Sequence, residues 1–155
     1  MQQSTRLLHK LEAPRVLLKL DLAQAFDSIS WPFLFEALRQ YGFGDRFLEW
    51  LAILFSSAST RVLINGEPGP PVWHRRGLRQ GDPLSPQLFD LGVDALGRLL
   101  QRASATGILA QLHPRRTIPA FSLYADDLVL FCHPTESDIA AVREILRLFA
   151  RASGY

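Results

Sequence analysis

The most constraining feature of the sequence is an apolar run, residues 121–131, that is interrupted by two adjacent acids, Asp126 and Asp127. Aromatic and other strand-forming residues flank the acids on both sides, so the run predicts a β-hairpin with its turn at residues 125–127. Charged groups are unstable in an apolar core without partners, so this turn must face water, a cation or a ligand. A carboxylate pair on a rigid turn suits a hard divalent cation such as Mg²⁺, although Asp is also common in ordinary turns.

The composition of the 155-residue chain excludes several classes of protein. A hydrophobic fraction of 48% argues against disorder, and the length is enough for one domain with a sizeable core. The formal net charge of +2 is compatible with nucleic acid as a partner without requiring it. Cys132 is the single cysteine, so neither an internal disulfide nor a cysteine-rich zinc site is expected. The sequence shows neither a signal-peptide core nor an apolar run of the roughly 20 residues that cross a bilayer, so we expect an intracellular protein without membrane contact.

Hydrophobic periodicity and turn signals predict the order of secondary structure. Residues 16–22 form a mostly apolar run that is typical of a buried strand, and Asp21 lies near its end. Asn65 and Gly66 form a strong hairpin turn signal. The other predicted elements are a weak helix at 6–12, a turn or short helix at 23–29, helices that begin after Ser30 and at Asp45, strands at 60–65 and about 71–74, a loop at 75–86 before a long helix, and a final helix capped by Thr135 with Asp138 and ended by Gly154. This order indicates an α+β fold with helices packed on one face of a mainly antiparallel sheet.

Apolar residues at helical spacing predict the buried face of each long helix. These faces should form the core. The predicted core positions are Phe47, Leu48, Leu51, Leu54 and Phe55 in the helix that begins at Asp45, Leu88, Leu91, Ala95, Leu99 and Leu100 in the long helix, and Ile139, Val142, Ile145, Leu146 and Phe149 in the final helix.

Three acids stand at positions where strands are predicted to end or turn. Asp21 ends the first predicted strand, and Asp126 and Asp127 occupy the hairpin turn. If the first strand lies beside the hairpin, the three acids converge at one edge of the sheet. Carboxylates that lie so close repel one another unless cations neutralise them. Two divalent ions about 3.5–4 Å apart would do so, and such a pair serves in-line phosphoryl transfer.

Three segments of the chain resemble blocks of a known family. Residues 18–27, residues 76–86 and residues 124–127 resemble, in order and spacing, three blocks of the reverse transcriptase palm. The amino-acid sequence of these blocks is most similar to that of non-LTR (LINE-type) retrotransposons, especially those of plants. The resemblance therefore implies a polymerase palm-like fold, with residues 1–155 as a partial reverse transcriptase domain that lacks the upstream fingers, the downstream thumb and an endonuclease.

The resemblance implies roles for individual residues. Asp21, Asp126 and Asp127, with the Leu22 carbonyl, would hold two Mg²⁺ ions, or Mn²⁺ in their place. The ring of Phe26 would exclude a 2′-hydroxyl, and the alternative for this residue is plain core packing. The other implied positions are Gln80 and Gly81 near the incoming nucleotide and template, Tyr124 near the primer end, and Arg75, Arg76 and Arg79 as candidate phosphate contacts or a solvated cluster.

The activity that the resemblance implies is RNA-directed DNA synthesis. The partners would be an RNA template, a DNA primer and dNTPs, and the implied location is the nucleus. Because the Lys and Arg of the fingers, which hold the triphosphate, and the thumb are not in the chain, we expect weak or no polymerase activity from this chain alone. Two alternatives remain open from the sequence: a palm like that of group II intron maturases, and a non-catalytic remnant with a binding or structural role.

Overall fold

The computed structural model of the protein describes residues 16–22, 24–112, 121–124 and 127–155, and it describes no side chains at positions 123, 124 and 127. The predicted helix at 6–12 lies outside these ranges. The described elements, in chain order, are β1 (Val16–Asp21), α1 (Ala25–Ser28), α2 (Trp31–Gln40), α3 (Asp45–Ser56), β2 (Ser59–Ile64), β3 (Glu67–Trp73), α4 (Ser85–Ala105), β4 (Phe121–Tyr124), β5 (Asp127–Cys132) and α5 (Glu136–Ser153). The predicted order of elements is confirmed in these ranges, and the fold is a mixture of helices and antiparallel sheet, as α+β requires.

The described strands form two sheets, where the sequence predicted one. The larger sheet has three antiparallel strands in the order β1-β5-β4, so β5 is central. The smaller sheet is the β2–β3 hairpin alone. Its turn is formed by Asn65 and Gly66, whose φ angles of 51° and 87° are those of the predicted hairpin turn.

Strand β3 is longer than the sequence predicted. It begins at Glu67 rather than near residue 71, and it includes Pro68, Pro70 and Pro71. Proline lacks the N–H that a strand donates, so its presence argued against a strand here. Among the described strands β3 pairs with β2 alone, and the register between them shifts between Arg61 and Leu63, so the prolines lie in an irregular edge strand that tolerates missing donors.

Strand β1 is half-buried, so the prediction of a buried strand is wrong. Its residues alternate between partly buried and exposed, and the side chain of Leu17 is 54% exposed. Val16, Leu18 and Leu20 pack against the main core. The physical reason is that β1 belongs to an antiparallel sheet, which can leave one face in water, and it is an edge strand among those that the structure describes.

The central strand β5 is buried on both faces. Leu128 and Leu130 belong to the main core, which also contains the buried faces of the long helices. Val129 and Phe131 lie on the other face, where they form a small cluster with Leu112. The helices α2, α4 and α5 pack against one another on the main-core side. The face that carries Val129 therefore lies opposite the helices.

The buried faces of the helices differ in part from those predicted. Three predicted core residues, Leu54, Leu99 and Ile139, are exposed. On α4 the fully buried side chains include Phe89 and Val93, which the predicted stripe omitted. An apolar stripe is wider than the contact that one neighbouring element makes, so its margins can stay in water. No helix in the described ranges is long and apolar enough to cross a bilayer.

Candidate active site

The pairing of β1 with β5 brings two of the predicted acids together. Asp21 lies directly opposite Asp127 in the antiparallel register, at the end of the sheet. Residues opposite each other in such a pair have Cα atoms about 4.5–5.5 Å apart. Tyr124 is the partner of Asp127 on the other side, because β4 pairs with the same strand. Positions 21, 127 and 124 therefore form one row across three strands. Asp126 lies outside the described residues.

Asp21 lies on the sheet face that points away from the helices. It is exposed, and it alternates along β1 with Leu20 and Leu18, which pack against the core. Leu22 follows at once and is itself packed against the core, which holds this end of the strand in place. The carboxylate of Asp21 is thus accessible, and carboxylate oxygens are ligands that Mg²⁺ accepts. Among the side chains that the structure describes, no three His, Cys, Asp or Glu residues form a metal-binding group.

The chain turns sharply after β1 and places Phe26 beside the long helix. Gln24 has a left-handed backbone, with φ of 53°, and its carbonyl accepts hydrogen bonds from the N–H groups of Asp27 and Ser28 at 2.9 Å each. The turn leads into α1, where the ring of Phe26 stacks on that of Phe89 with centroids 4.5 Å apart. Phe26 remains partly exposed. The ring is therefore packed on one side and accessible on the other, and its contact with a nucleotide stays a prediction.

Gln80 and Gly81 form the centre of a tight turn. The turn spans residues 79–82 and is closed by a hydrogen bond of 3.3 Å from the N–H of Asp82 to the carbonyl of Arg79. Gly81, at the third position of the turn, has φ of +89°, a left-handed conformation that glycine adopts without strain. Asp82 precedes α4, and its Oδ1 accepts from the N–H of Leu84 at 2.8 Å. Both Gln80 and Gly81 are exposed, so the turn presents them to water.

The two residues just before the turn, Gly77 and Leu78, are joined to α1 and to the residues after it by three hydrogen bonds. The N–H of Leu78 donates to the carbonyl of Phe26 at 2.6 Å, and the N–H of Gly77 donates to the carbonyl of Ile29 at 2.8 Å. The indole N–H of Trp31 donates to the carbonyl of Gly77 at 2.7 Å. The sequence prediction missed Trp31, Gly77 and Leu78, because nothing in a local pattern indicates the partner of a backbone group so far along the chain.

These contacts join the segments that resemble the first and second reverse transcriptase blocks, and the β1–β5 register joins the first to the third. A model of the family "Reverse transcriptase (RNA-dependent DNA polymerase)" matches residues 1–155. The chain belongs to the reverse transcriptase family. The predicted family resemblance is thereby confirmed, whereas its plant origin stays a prediction.

Several curated proteins are similar to this member of the reverse transcriptase family. The chain is 35% identical over 136 residues to the Transposon TX1 uncharacterized 149 kDa protein of Xenopus laevis. The matched region covers 88% of this chain and 10% of that protein. It is 32% identical over 114 residues to the retrovirus-related Pol polyprotein from type-1 retrotransposable element R2 of Popillia japonica, covering 74% of this chain and 18% of that protein. With the type-2 element R2DM of Drosophila melanogaster the identity is 32% over 123 residues, 79% of this chain and 11% of that protein. The chain thus spans only 10–18% of the length of these relatives.

The three arginines of the second reverse transcriptase block differ in their surroundings. Arg75, Arg76 and Arg79 are all exposed. The guanidinium of Arg79 donates to the carbonyl of Ser59 at 3.3 Å, so this side chain lies over the start of β2. Arg75 borders an open surface cavity that Trp73 and Phe35 also line. Arg79 belongs to the turn at residues 79–82, and the role of the three arginines as phosphate contacts stays a prediction.

Proposed function

We propose that this chain is the palm segment of an RNA-directed DNA polymerase, which adds dNTPs to the 3′-hydroxyl of a DNA primer on an RNA template. The single observation that supports the proposal most is the register that sets Asp21 opposite Asp127 at an accessible end of the sheet. The family membership supports the same reaction. The nucleus as the site of action follows from the family resemblance alone.

In this proposal the acidic residues bind divalent metal ions. Reverse transcriptases generally use such ions, and Asp21, Asp126, Asp127 and the Leu22 carbonyl are oxygen donors of the kind that Mg²⁺ or Mn²⁺ accepts. A pair of bound ions would lower the pKa of the primer hydroxyl and neutralise charge on the triphosphate and the leaving pyrophosphate. The protein's own part is to hold the carboxylates at one end of a paired sheet, where their mutual repulsion favours cation binding.

The nucleotide would lie between the acids and the turn at residues 79–82. In this proposal Phe26 excludes a 2′-hydroxyl through its partly exposed ring, and Gln80 and Gly81 approach the incoming nucleotide and template. Gly81 has no side chain to obstruct that approach. The remaining proposed contacts are Tyr124 with the primer end and Arg75, Arg76 and Arg79 with phosphates.

The metal site is tested directly by adding Mn²⁺ to the 155-residue chain and recording NMR spectra. Paramagnetic broadening should be greatest at the backbone amides of Asp21 and Asp127. The variant Asp21→Asn removes one charged ligand and should greatly weaken this broadening. Asp90→Asn, which changes an exposed acid on α4, is the matched control and should leave it intact. Equal broadening in the wild type and Asp21→Asn would contradict the metal role.

The reaction is tested by single-nucleotide addition to an RNA–DNA primer–template with protein in excess over primer. Asp21→Asn should lower the rate at least about 100-fold relative to the wild type, because losing a metal ligand removes several kcal/mol of transition-state stabilisation. Asp90→Asn should retain the wild-type rate. A wild-type product that forms equally well in EDTA would contradict a metal-dependent mechanism.

A further inference from the structure

The two segments that carry the proposed nucleotide contacts are hydrogen-bonded to each other. Phe26 lies in α1, and Gln80 and Gly81 lie in the turn that precedes α4. The bond from the Leu78 N–H to the Phe26 carbonyl, at 2.6 Å, joins the backbone of the one segment to that of the other. Leu78 is also buried, so this bond is shielded from water. A shift of the Leu78 backbone away from Phe26 breaks this bond.

Gly77 lies where no other residue fits without rearrangement. Its φ of +80° belongs to the left-handed region, and a Cβ built on it would lie 2.6 Å from the carbonyl oxygen of Asp27. A side chain at position 77 would therefore clash with backbone atoms of α1. Such a contact cannot be relieved by a rotamer change, because the atom that it meets is itself part of the main chain. The close approach of the loop to α1 thus depends on a glycine at position 77.

Trp31 makes a second contact with Gly77, at its carbonyl group. Its indole N–H donates to the Gly77 carbonyl at 2.7 Å. The indole ring is fixed in turn, because it stacks on Phe55 with ring centroids 5.0 Å apart. Phe55 is a core residue of α3. The carbonyl of Gly77 is therefore attached to the hydrophobic core through a side chain that has little freedom to move.

We propose that Trp31 and Gly77 are positioning residues, which hold the turn at residues 79–82 against Phe26 so that both sides of the nucleotide pocket stay in a fixed relation. This inference rests on the proposed function. Neither residue contacts the nucleotide. A ring can exclude a 2′-hydroxyl only while the rest of the nucleotide is held at a constant distance from it. Loosening the contact between Gly77 and α1 should therefore reduce discrimination against ribonucleotides, and it should also lower the affinity for the deoxynucleotide.

The contact itself is tested by hydrogen exchange of backbone amides in the 155-residue chain. Trp31→Phe keeps a ring for Phe55 and removes the N–H donor, and it should speed exchange at Leu78 about fivefold or more, since a hydrogen bond contributes about 1 kcal/mol. Gly77→Ala should have a larger effect. Its matched control is Gly66→Ala, which has a similar φ of +87° but no atom within 4 Å of the added Cβ. Exchange at Leu78 should not change in Gly66→Ala.

The positioning role is tested by measuring dissociation constants for dGTP and GTP in the presence of Mg²⁺, by NMR titration of the same proteins. The wild type should prefer dGTP. Trp31→Phe and Gly77→Ala should weaken dGTP binding about tenfold and bring the preference close to one, whereas Gly66→Ala should match the wild type. If Gly77→Ala does not fold, Trp31→Phe decides the question alone.

Each outcome has a distinct meaning. Unchanged exchange at Leu78 in Trp31→Phe would overturn the contact. Faster exchange with an unchanged preference for dGTP would overturn the positioning role and leave a purely structural hydrogen bond. A wild-type chain that binds neither Mn²⁺ nor dGTP would overturn the proposed function and the positioning role with it, although the exchange rates would still show whether the contact holds the loop.

Discussion

The hydroxyl of Tyr155 connects the end of α5 to the turn that follows Asp21. It donates to the carbonyl of Ala25 at 2.6 Å, and its ring stacks on Phe149 with centroids 5.9 Å apart and planes 17° from parallel. A neighbouring backbone bond of 2.7 Å, from the N–H of Ser30 to the carbonyl of Ser153, joins the same two regions. We therefore expect the Tyr155 hydroxyl to stabilise the segment that carries Phe26.

The substitution Tyr155→Phe removes this hydrogen bond and keeps the stacked ring. A neutral hydrogen bond contributes about 1 kcal/mol net to the free energy of unfolding, so the variant should lose about that much at pH 7. For a chain of this length, a loss of 1 kcal/mol corresponds to a fall in Tm of about 3 °C. Tyr155→Ala should lose more, because it also removes the contact with Phe149.

The difference between Tyr155→Phe and the wild type should depend on pH. Burial raises the pKa of the Tyr155 phenol above its ordinary value of 10.0. The phenol of the unfolded chain therefore ionises first, and the stability that the buried neutral phenol contributes is present below pH 10 and lost as the pH rises further. Phenylalanine does not ionise. The stability of Tyr155→Phe should thus fall less steeply above pH 10 than that of the wild type.

Urea unfolding followed by circular dichroism, at neutral pH and above pH 10, measures both effects. The dependence of the unfolding free energy on urea should be the same in both proteins, which shows that they unfold the same amount of structure. Equal stability of Tyr155→Phe and the wild type at pH 7, to within about 0.3 kcal/mol, would show that the hydroxyl does not stabilise this segment, since that is well below the expected value.

Three further predictions concern stability. Leu130→Ala, at a fully buried position of the central strand, should cost about 2–5 kcal/mol of unfolding free energy, whereas Leu17→Ala on the exposed face of β1 should cost less than about 0.5 kcal/mol in the same urea experiment. Asp138→Ala should cost about 2 kcal/mol in that experiment, because the buried carboxylate accepts hydrogen bonds from two backbone N–H groups. The hydrogen bond from Tyr41 lowers the pKa of Asp94 below its ordinary value of 3.8, so stability that is present above that pH is lost as the pH falls, and Asp94→Asn should flatten this acid dependence in thermal melts.

Local signals in the sequence were sufficient to predict the order of the described elements. Asn65 and Gly66 form the predicted turn, and Gly154 ends α5 with a φ of +92°. The side chain of Thr135 caps α5 by accepting from the N–H of Asp138, as predicted. These features depend on interactions within a few residues, and such interactions can be inferred from residue types alone.

The same kind of inference failed where a neighbouring element decided the outcome. The Asp138 side chain does not complete a capping box, because its oxygens accept from the N–H groups of Ala110 and His133. Leu54 lies in a predicted apolar stripe and is nevertheless exposed. In both cases the position of other segments decides the outcome, and the local pattern does not specify that position.

The family, the types of residue in each block and the order of the helices and strands that carry them could be inferred from the sequence alone. Two features could not be inferred in this way: the position of Asp21 opposite Asp127, and the hydrogen bond from the Leu78 N–H to the Phe26 carbonyl. The physical reason is that strand register and loop docking are set by pairing between backbone groups far apart along the chain. Every residue except proline has the same backbone donor and acceptor, so residue types do not specify which of them will meet.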